Sequence, residues 1–305
     1  MSTAIVEVAP APKPTVGEII SHLQNKVSAS RLNAFLQCRL KFFFHYVEGI
    51  TKPKTAALHV GTVVHAVLKK WNKARWVGQP LILKELHDEF TRAWKDESEG
   101  AVKWENAEEQ ADEQKTAWRL VETYIRESKI SPDTKPEAVE VSVETDLHQH
   151  GLPTLIGVLD LVQAGKIVDY KTSGQTPNAE RVAHTTEVQT SIYSMLYRDA
   201  KQRRETGIEL HHLVKTKNPK LVITATPPMS DRQQTRLFHL IEAYVHGLDV
   251  RDFVPKQECS ASCVSSSTNA GVGAEIVSLH ITNQGQLIFH GGLAFFKFNK
   301  RGKIT

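Results

Sequence analysis

Apolar residues recur at helical spacing over 62–76, about 80–95 and 105–128, with breaks at Gly78-Gln79-Pro80 and at the acidic Glu97-Ser98-Glu99-Gly100. Gly61 and Thr62 precede the first of these patterns, so a helix is expected to begin there, with His65 in its first turns. The pattern then changes. Strand-like runs fall near 137–147, 153–163 and 166–171, and further ones near 211–216 and 221–227. A helix over the segment containing Gln189 and another near 231–248 would flank them. This order predicts an α/β protein with a helical region inserted before a central sheet, and leaves open whether the sheet is parallel or mixed.

Composition narrows the class. The chain has 305 residues, of which 40% are hydrophobic, enough for a sizeable core in one main domain. Residues 1–17, rich in Ala, Pro and Val, read as a flexible leader without the arginines or long apolar run of a targeting segment. No membrane-spanning run stands out, so the expected setting is cytoplasmic, with no membrane partner. The formal charge of +4 permits nucleic-acid binding without demanding it. Local clusters at Lys69-Lys70, Lys201-Gln202-Arg203-Arg204 and Lys215-Thr216-Lys217 are the stronger candidates for a phosphate track, provided they converge. Trp104 and Trp118 sit in a helical pattern and are expected to pack; exposure beside the site would make them stacking residues.

The candidate chemistry lies in GVLDLVQAGKIVDYKT, residues 157–172. Two strand-like runs each deliver a carboxylate, Asp160 and Asp169, and the second also delivers Lys171. Side chains alternate along a strand, so Asp169 and Lys171 share a face while Tyr170 points the other way. Magnesium prefers oxygen ligands and keeps several waters, so two carboxylates on adjacent strands, completed by water and substrate phosphate, suit it. A lysine beside such an ion can orient the nucleophile or stabilise charge on the phosphoryl oxygens. The same residues also fit a plain β-hairpin with exposed charges. Gln189 and Tyr193, four apart, project from one side of their helix, with Val188, Ile192 and Met195 available for burial.

Taken together, these motifs resemble the RecB-like and Cas4-like branch of the PD-(D/E)XK nuclease superfamily. The resemblance covers roughly residues 28–263. SASRLNAFLQCRLKFFFHYV, residues 28–47, looks like the family's helical opening; GTVVHAVL places His65 at its metal-contacting histidine. GVLDLV and IVDYKT place Asp160, Asp169 and Lys171 at the two core carboxylates and the catalytic lysine, and QTSIY places Gln189 and Tyr193 at the motif after the core strands. Glu144 resembles the extra acidic residue upstream of the core, with Glu140 close enough to satisfy the same spacing. The resemblance implies a restriction-endonuclease-like mixed sheet flanked by helices over residues 18–264. It also implies a Mg2+- or Mn2+-dependent DNA nuclease, most naturally an exonuclease processing DNA ends. A structure-specific endonuclease, or a silent DNA-binding or assembly subunit, is the alternative. DNA is the implied partner, with a helicase or a recombination or defence protein as a second one.

Many relatives in that branch carry an iron-sulfur cluster on four cysteines. Here Cys38 stands in the right region and Cys259 and Cys263 follow, but these three are the only cysteines, so the cluster is a ligand short. Residues 265–305 change character, with strand-like runs and turns at Asn283-Gln284-Gly285 and Gly291-Gly292, which fit a small β appendage, a segment packed back on the core or a self-association element.

Overall fold

A computed structural model of the chain describes residues 14–96, 98, 100–254, 278–281 and 287–290. It opens with α1 (Val16–Asn25), β1 (Lys26–Ser28), α2 (Ala29–Gln37) and α3 (Arg39–Phe42), which runs into a π-helical turn at Phe43–Val47. The helical region follows: β2 (Lys54–Thr55), α4 (Ala56–Trp76), α5 (Leu83–Trp94), β3 (Val102–Lys103) and α6 (Ala107–Glu127). The core strands β4 (Ala138–Thr145), β5 (Thr154–Gln163) and β6 (Lys166–Ser173) lead to α7 (Ala179–Thr185) and α8 (Glu187–Lys201). Then come β7 (Gly207–Val214), β8 (Lys220–Thr226), α9 (Asp231–Asp249) and a hairpin of β9 (Ser278–Ile281) with β10 (Leu287–His290). Val16 and Gly17, the end of the expected leader, belong to α1, whose Thr15 and Glu18 cap each other reciprocally.

The central sheet has six strands in the order β1-β5-β6-β7-β8, with β4 also on β5. Pairing is parallel for β1–β5 and β6–β7 and antiparallel for β4–β5, β5–β6 and β7–β8, so the sheet is mixed. Helices cover both faces. Under α1, α2, α8 and α9 lie Val27, Leu32, Phe35, Leu155, Ile192, Leu196, Ile241 and Tyr244, all within 1% of full burial. Under α4, α5 and α6 lie Val64, Trp71, Phe90, Leu120, Tyr124, Leu161, Val168 and Tyr170. Trp104 and Trp118 pack against this second layer, in ring contact with Trp94 and His87, which agrees with the packing role expected of them.

One boundary differs in a way that matters for the site. The start of α4 is capped by Thr55, whose hydroxyl accepts the Leu58 N–H, six residues before the expected start. Gly61 and Thr62 are therefore inside the helix, and His65 sits in its third turn. Gly61 has a packing reason to be there: a Cβ at this position would stand 3.1 Å from Thr172 Oγ1, so the missing side chain lets α4 approach β6 closely.

Candidate active site

The site forms where β5 and β6 part. Their antiparallel register pairs Gln163 with Lys166, Val162 with Ile167 and Leu161 with Val168, and stops there. Continued by one step it would set Asp160 directly opposite Asp169. Like charges facing each other across a ladder are destabilising, and the strands diverge at this pair. Along one edge β5 is paired with β4 through residues 155–162. On its other edge β1 takes 154–156 and β6 takes 161–163, which leaves Gly157–Asp160 facing a gap. The Tyr170 N–H reaches across it to Asp160 Oδ2 at 3.0 Å.

The alternation of the strands also breaks at this level. In β5, Leu161 enters the layer under α4 and α6, whereas Leu159 joins Tyr197 on the opposite face. In β4, Val139 and Val143 likewise fall on opposite layers. Between them Glu140, at the level of Asp160 where the β4–β5 ladder skips a pair, has φ +49°. A left-handed non-glycine residue inside a strand is strained by roughly 1–3 kcal/mol, and such strain concentrates at functional sites.

Four elements deliver side chains to this split, with Asp160 coming from β5. From β6, Asp169 is almost fully buried; its Oδ1 accepts from Gln189 Nε2 at 2.9 Å. Its Oδ2 lies 2.8 Å from Lys171 Nζ as an ion pair but takes no hydrogen bond, leaving a buried oxygen with coordinating capacity in hand. Lys171 also donates to Gln189 Oε1 at 3.0 Å, and Gln189 Nε2 reaches Tyr193 Oη at 2.9 Å, so α8 holds both ends of the pair. From α4, His65 Nε2 donates to the Tyr170 carbonyl at 2.9 Å, and Nδ1 stands 3.5 Å from Asp160 Oδ2. With the proton on Nε2, the Nδ1 lone pair is left facing the carboxylates, the arrangement that a backbone carbonyl imposes on metal-binding imidazoles. Burial, partly offset by His65 and reinforced by Asp169, raises the Asp160 carboxyl to about 6. Burial likewise raises the Tyr193 phenol.

Among the described residues, no group of three or more His, Cys, Asp or Glu is drawn close enough to hold a metal ion by itself. The donors nevertheless suit an oxygen-seeking divalent ion that keeps its waters. The Asp160 carboxylate, incompletely compensated, the Asp169 Oδ2 without a hydrogen bond and the His65 Nδ1 beside Asp160 would supply protein ligands, and water and substrate oxygens would complete the shell.

Glu144 lines the same cleft, nearer its α2 end. It lies four residues along β4 from Glu140, about 13 Å at the rise of a strand, and its exposed carboxylate pairs with Lys26 at 2.8 Å. Glu140, at the level of Asp160, turns its carboxylate to Lys69 at 3.1 Å. None of the lysines and arginines of the basic clusters lines the cleft, and Lys70 pairs with Glu89, Arg203 with Glu137 and Lys215 with Glu113. Cys38 is buried between α2 and α3, and Cys259 and Cys263 lie outside the described residues.

The cleft has a volume of about 740 Å³ and runs from Asp160, Lys171, Gln189 and Tyr193 past Val158 and Ser142 to the start of α2 at Ser28 and Asn33. Gly157 allows α8 to close one wall: a Cβ there would fall 2.6 Å from Leu196 Cδ1 and 3.7 Å from the Tyr193 ring. Gly157→Ala should therefore push α8 off β5, lowering stability by about 1–3 kcal/mol and displacing Gln189 and Tyr193. Melting curves alongside cleavage rates check this; an unchanged melting temperature would show that α8 accommodates the methyl.

Residues 26–267 match the PD-(D/E)XK nuclease superfamily, and the chain belongs to it. The fold is similar to the crystal structure of a candidate exonuclease from Eubacterium rectale, with a TM-score of 0.55 and 14% sequence identity. That match covers 86% of this chain and 100% of the other. No curated protein matches the sequence. Among the described residues no helix is long and apolar enough to cross a membrane.

Proposed function

We propose that the protein is a Mg2+- or Mn2+-dependent deoxyribonuclease of the RecB-like and Cas4-like branch, acting as an exonuclease on DNA ends. The observation that carries this reading is the split between β5 and β6. It brings Asp160, Asp169 and Lys171 to one cleft, with His65 arriving from α4 and Gln189 from α8. Asp160 and Asp169, assisted by His65, would hold the ion. When bound, such an ion polarises the phosphodiester and supplies a nucleophilic water at neutral pH.

The chain's own residues do the rest. Lys171, placed by Asp169 and Gln189, presents an ammonium to the phosphoryl oxygens or the attacking water. Gln189 fixes Lys171 and Asp169 relative to each other, and Tyr193 anchors Gln189. Glu140, at the level of Asp160, takes the upstream acidic role in preference to Glu144, with Lys69 as its counter-charge. With three cysteines in the chain, no step is assigned to an iron-sulfur cluster. The reading places the protein in the cytoplasm, working on DNA beside a helicase or a recombination or defence protein.

End-labelled single- and double-stranded linear DNA and closed circular DNA, incubated with Mg2+ or Mn2+ alongside Asp169→Ala, test this reading. End-dependent degradation that the variant lacks is the expected result. Cleavage of closed circles redirects the reading to an endonuclease, and no variant-sensitive cleavage leaves a DNA-binding or assembly role.

A further inference from the structure

Behind the cleft, on the face opposite Asp169, Tyr170 enters a buried polar cluster that the nuclease reading does not use. Its hydroxyl accepts from Asn72 Nδ2 at 2.9 Å, and the same Nδ2 donates to the Leu68 carbonyl at 2.8 Å. Asn72 Oδ1 accepts from Arg75 Nη1 at 2.6 Å, so the polar capacity of this fully buried amide is engaged. Arg75 continues to Gln163 Oε1, beside the β5–β6 turn, at 2.8 Å. On the far side, Tyr124 Oη lies 3.1 Å from His211 Nδ1 and 3.5 Å from Tyr170 Oη, the latter beyond an ordinary O–H···O bond.

Asn72 lies seven residues after His65 on α4, two turns along one face, and both reach Tyr170. His65 takes the Tyr170 carbonyl and Asn72 takes its hydroxyl, while the Tyr170 N–H holds Asp160. One residue of β6 thus fixes a strand carboxylate and a helix imidazole, and its own side chain is pinned to that helix. Gly61 against Thr172 is a close contact at the other end of the same seam. Loss of the Asn72–Tyr170 bond would free α4 to pivot about that contact, and His65 Nδ1 would move relative to Asp160.

We infer that Asn72 and the Tyr170 hydroxyl are positioning residues of the metal centre: they set the spacing of α4 from β6, and with it the placement of His65 Nδ1 against Asp160. The inference rests on the divalent-metal reading above. Groups that orient metal ligands typically change affinity 10- to 100-fold when removed.

The test is Mn2+ binding without DNA, followed by electron paramagnetic resonance of the free ion, together with melting temperatures. Tyr170→Phe keeps the ring and removes only the hydroxyl; Asn72→Leu removes the amide at similar volume. Ile241→Val, in the opposite layer, serves as a stability control, and Asp160→Ala as a site control. The expected result is a Kd for Mn2+ roughly tenfold higher in Tyr170→Phe, cleavage recovered at high Mn2+ and an unchanged KM for DNA, with Ile241→Val altering only the melting temperature. A lowered melting temperature with wild-type Mn2+ affinity in Tyr170→Phe overturns the inference alone, making the cluster purely structural. Mn2+ binding that is absent in the wild type, or unaffected by Asp160→Ala, overturns the metal reading and this inference with it. Should Asn72→Leu fail to fold, Tyr170→Phe decides.

Discussion

Asp160→Asn is expected to abolish DNA cleavage, by roughly 10³-fold or more, while raising the melting temperature of the metal-free protein at neutral pH. The two effects share a cause. Asp160 is mostly buried at the split, facing Asp169, and its carboxyl titrates at about 6 because burial penalises the charge more than His65 compensates for it. A folded-state value above the unfolded 3.8 means that the folded chain holds this proton more tightly. Stability from the group is then complete below pH 4 and lost as pH rises through 6. At pH 7 to 8 the wild type carries an incompletely compensated carboxylate that the asparagine lacks, a difference on the order of 1–3 kcal/mol. The asparagine carbonyl can still accept the Tyr170 N–H, so the local geometry survives. Melting curves from pH 4 to 8, in chelator and in Mn2+, check this. The gain should vanish at pH 4, and Mn2+ should stabilise the wild type but not the variant. A variant destabilised equally at every pH would show that Asp160 is structural.

The parts of this site that could be read in the sequence are those fixed by local periodicity. The alternating runs around Asp160 and Asp169 form strands close to where the pattern placed them, and the i, i+4 spacing of Gln189 and Tyr193 puts both on one side of α8, joined by a 2.9 Å hydrogen bond. Where periodicity failed, a particular residue is responsible. Gly61-Thr62 imitates a helix start, but the glycine serves contact with Thr172, and Thr55 caps the helix instead. Counting alternate positions along β4 does not decide between Glu140 and Glu144, because the left-handed backbone at Glu140 shifts which face each residue presents. Three-residue β1 is too short to show a period, although it closes one end of the gap in β5. The Asn72–Tyr170 bond joins residues 98 apart, and nothing in local sequence marks that pairing.

Lys171→Ala is expected to slow cleavage by about 10²–10³-fold with DNA and metal binding retained. Its ammonium stands 2.8 Å from Asp169 Oδ2 and 3.0 Å from Gln189 Oε1, with a third of the side chain open to the cleft. The metal-free protein thus uses the lysine as the counter-charge of a buried carboxylate. A divalent ion competing for Asp169 Oδ2 would take over that role and leave the ammonium to the substrate. Two opposite consequences follow from deleting it. Without metal, Asp169 loses its cation and the fold is weakened; with metal, the competitor is gone, so Mn2+ affinity should hold or improve. Cleavage alone should suffer, since the charge developing on the phosphoryl group loses its donor. Single-turnover rates at saturating Mn2+ and DNA, with binding followed by fluorescence anisotropy in Ca2+, separate these effects. Lys171→Arg should recover little, because a planar guanidinium cannot sit between Asp169 and Gln189 as a compact ammonium does. If Lys171→Ala cleaved within about threefold of wild type, well short of the loss expected for a transition-state donor, the lysine would be only a structural counter-ion and catalysis would rest on the carboxylates.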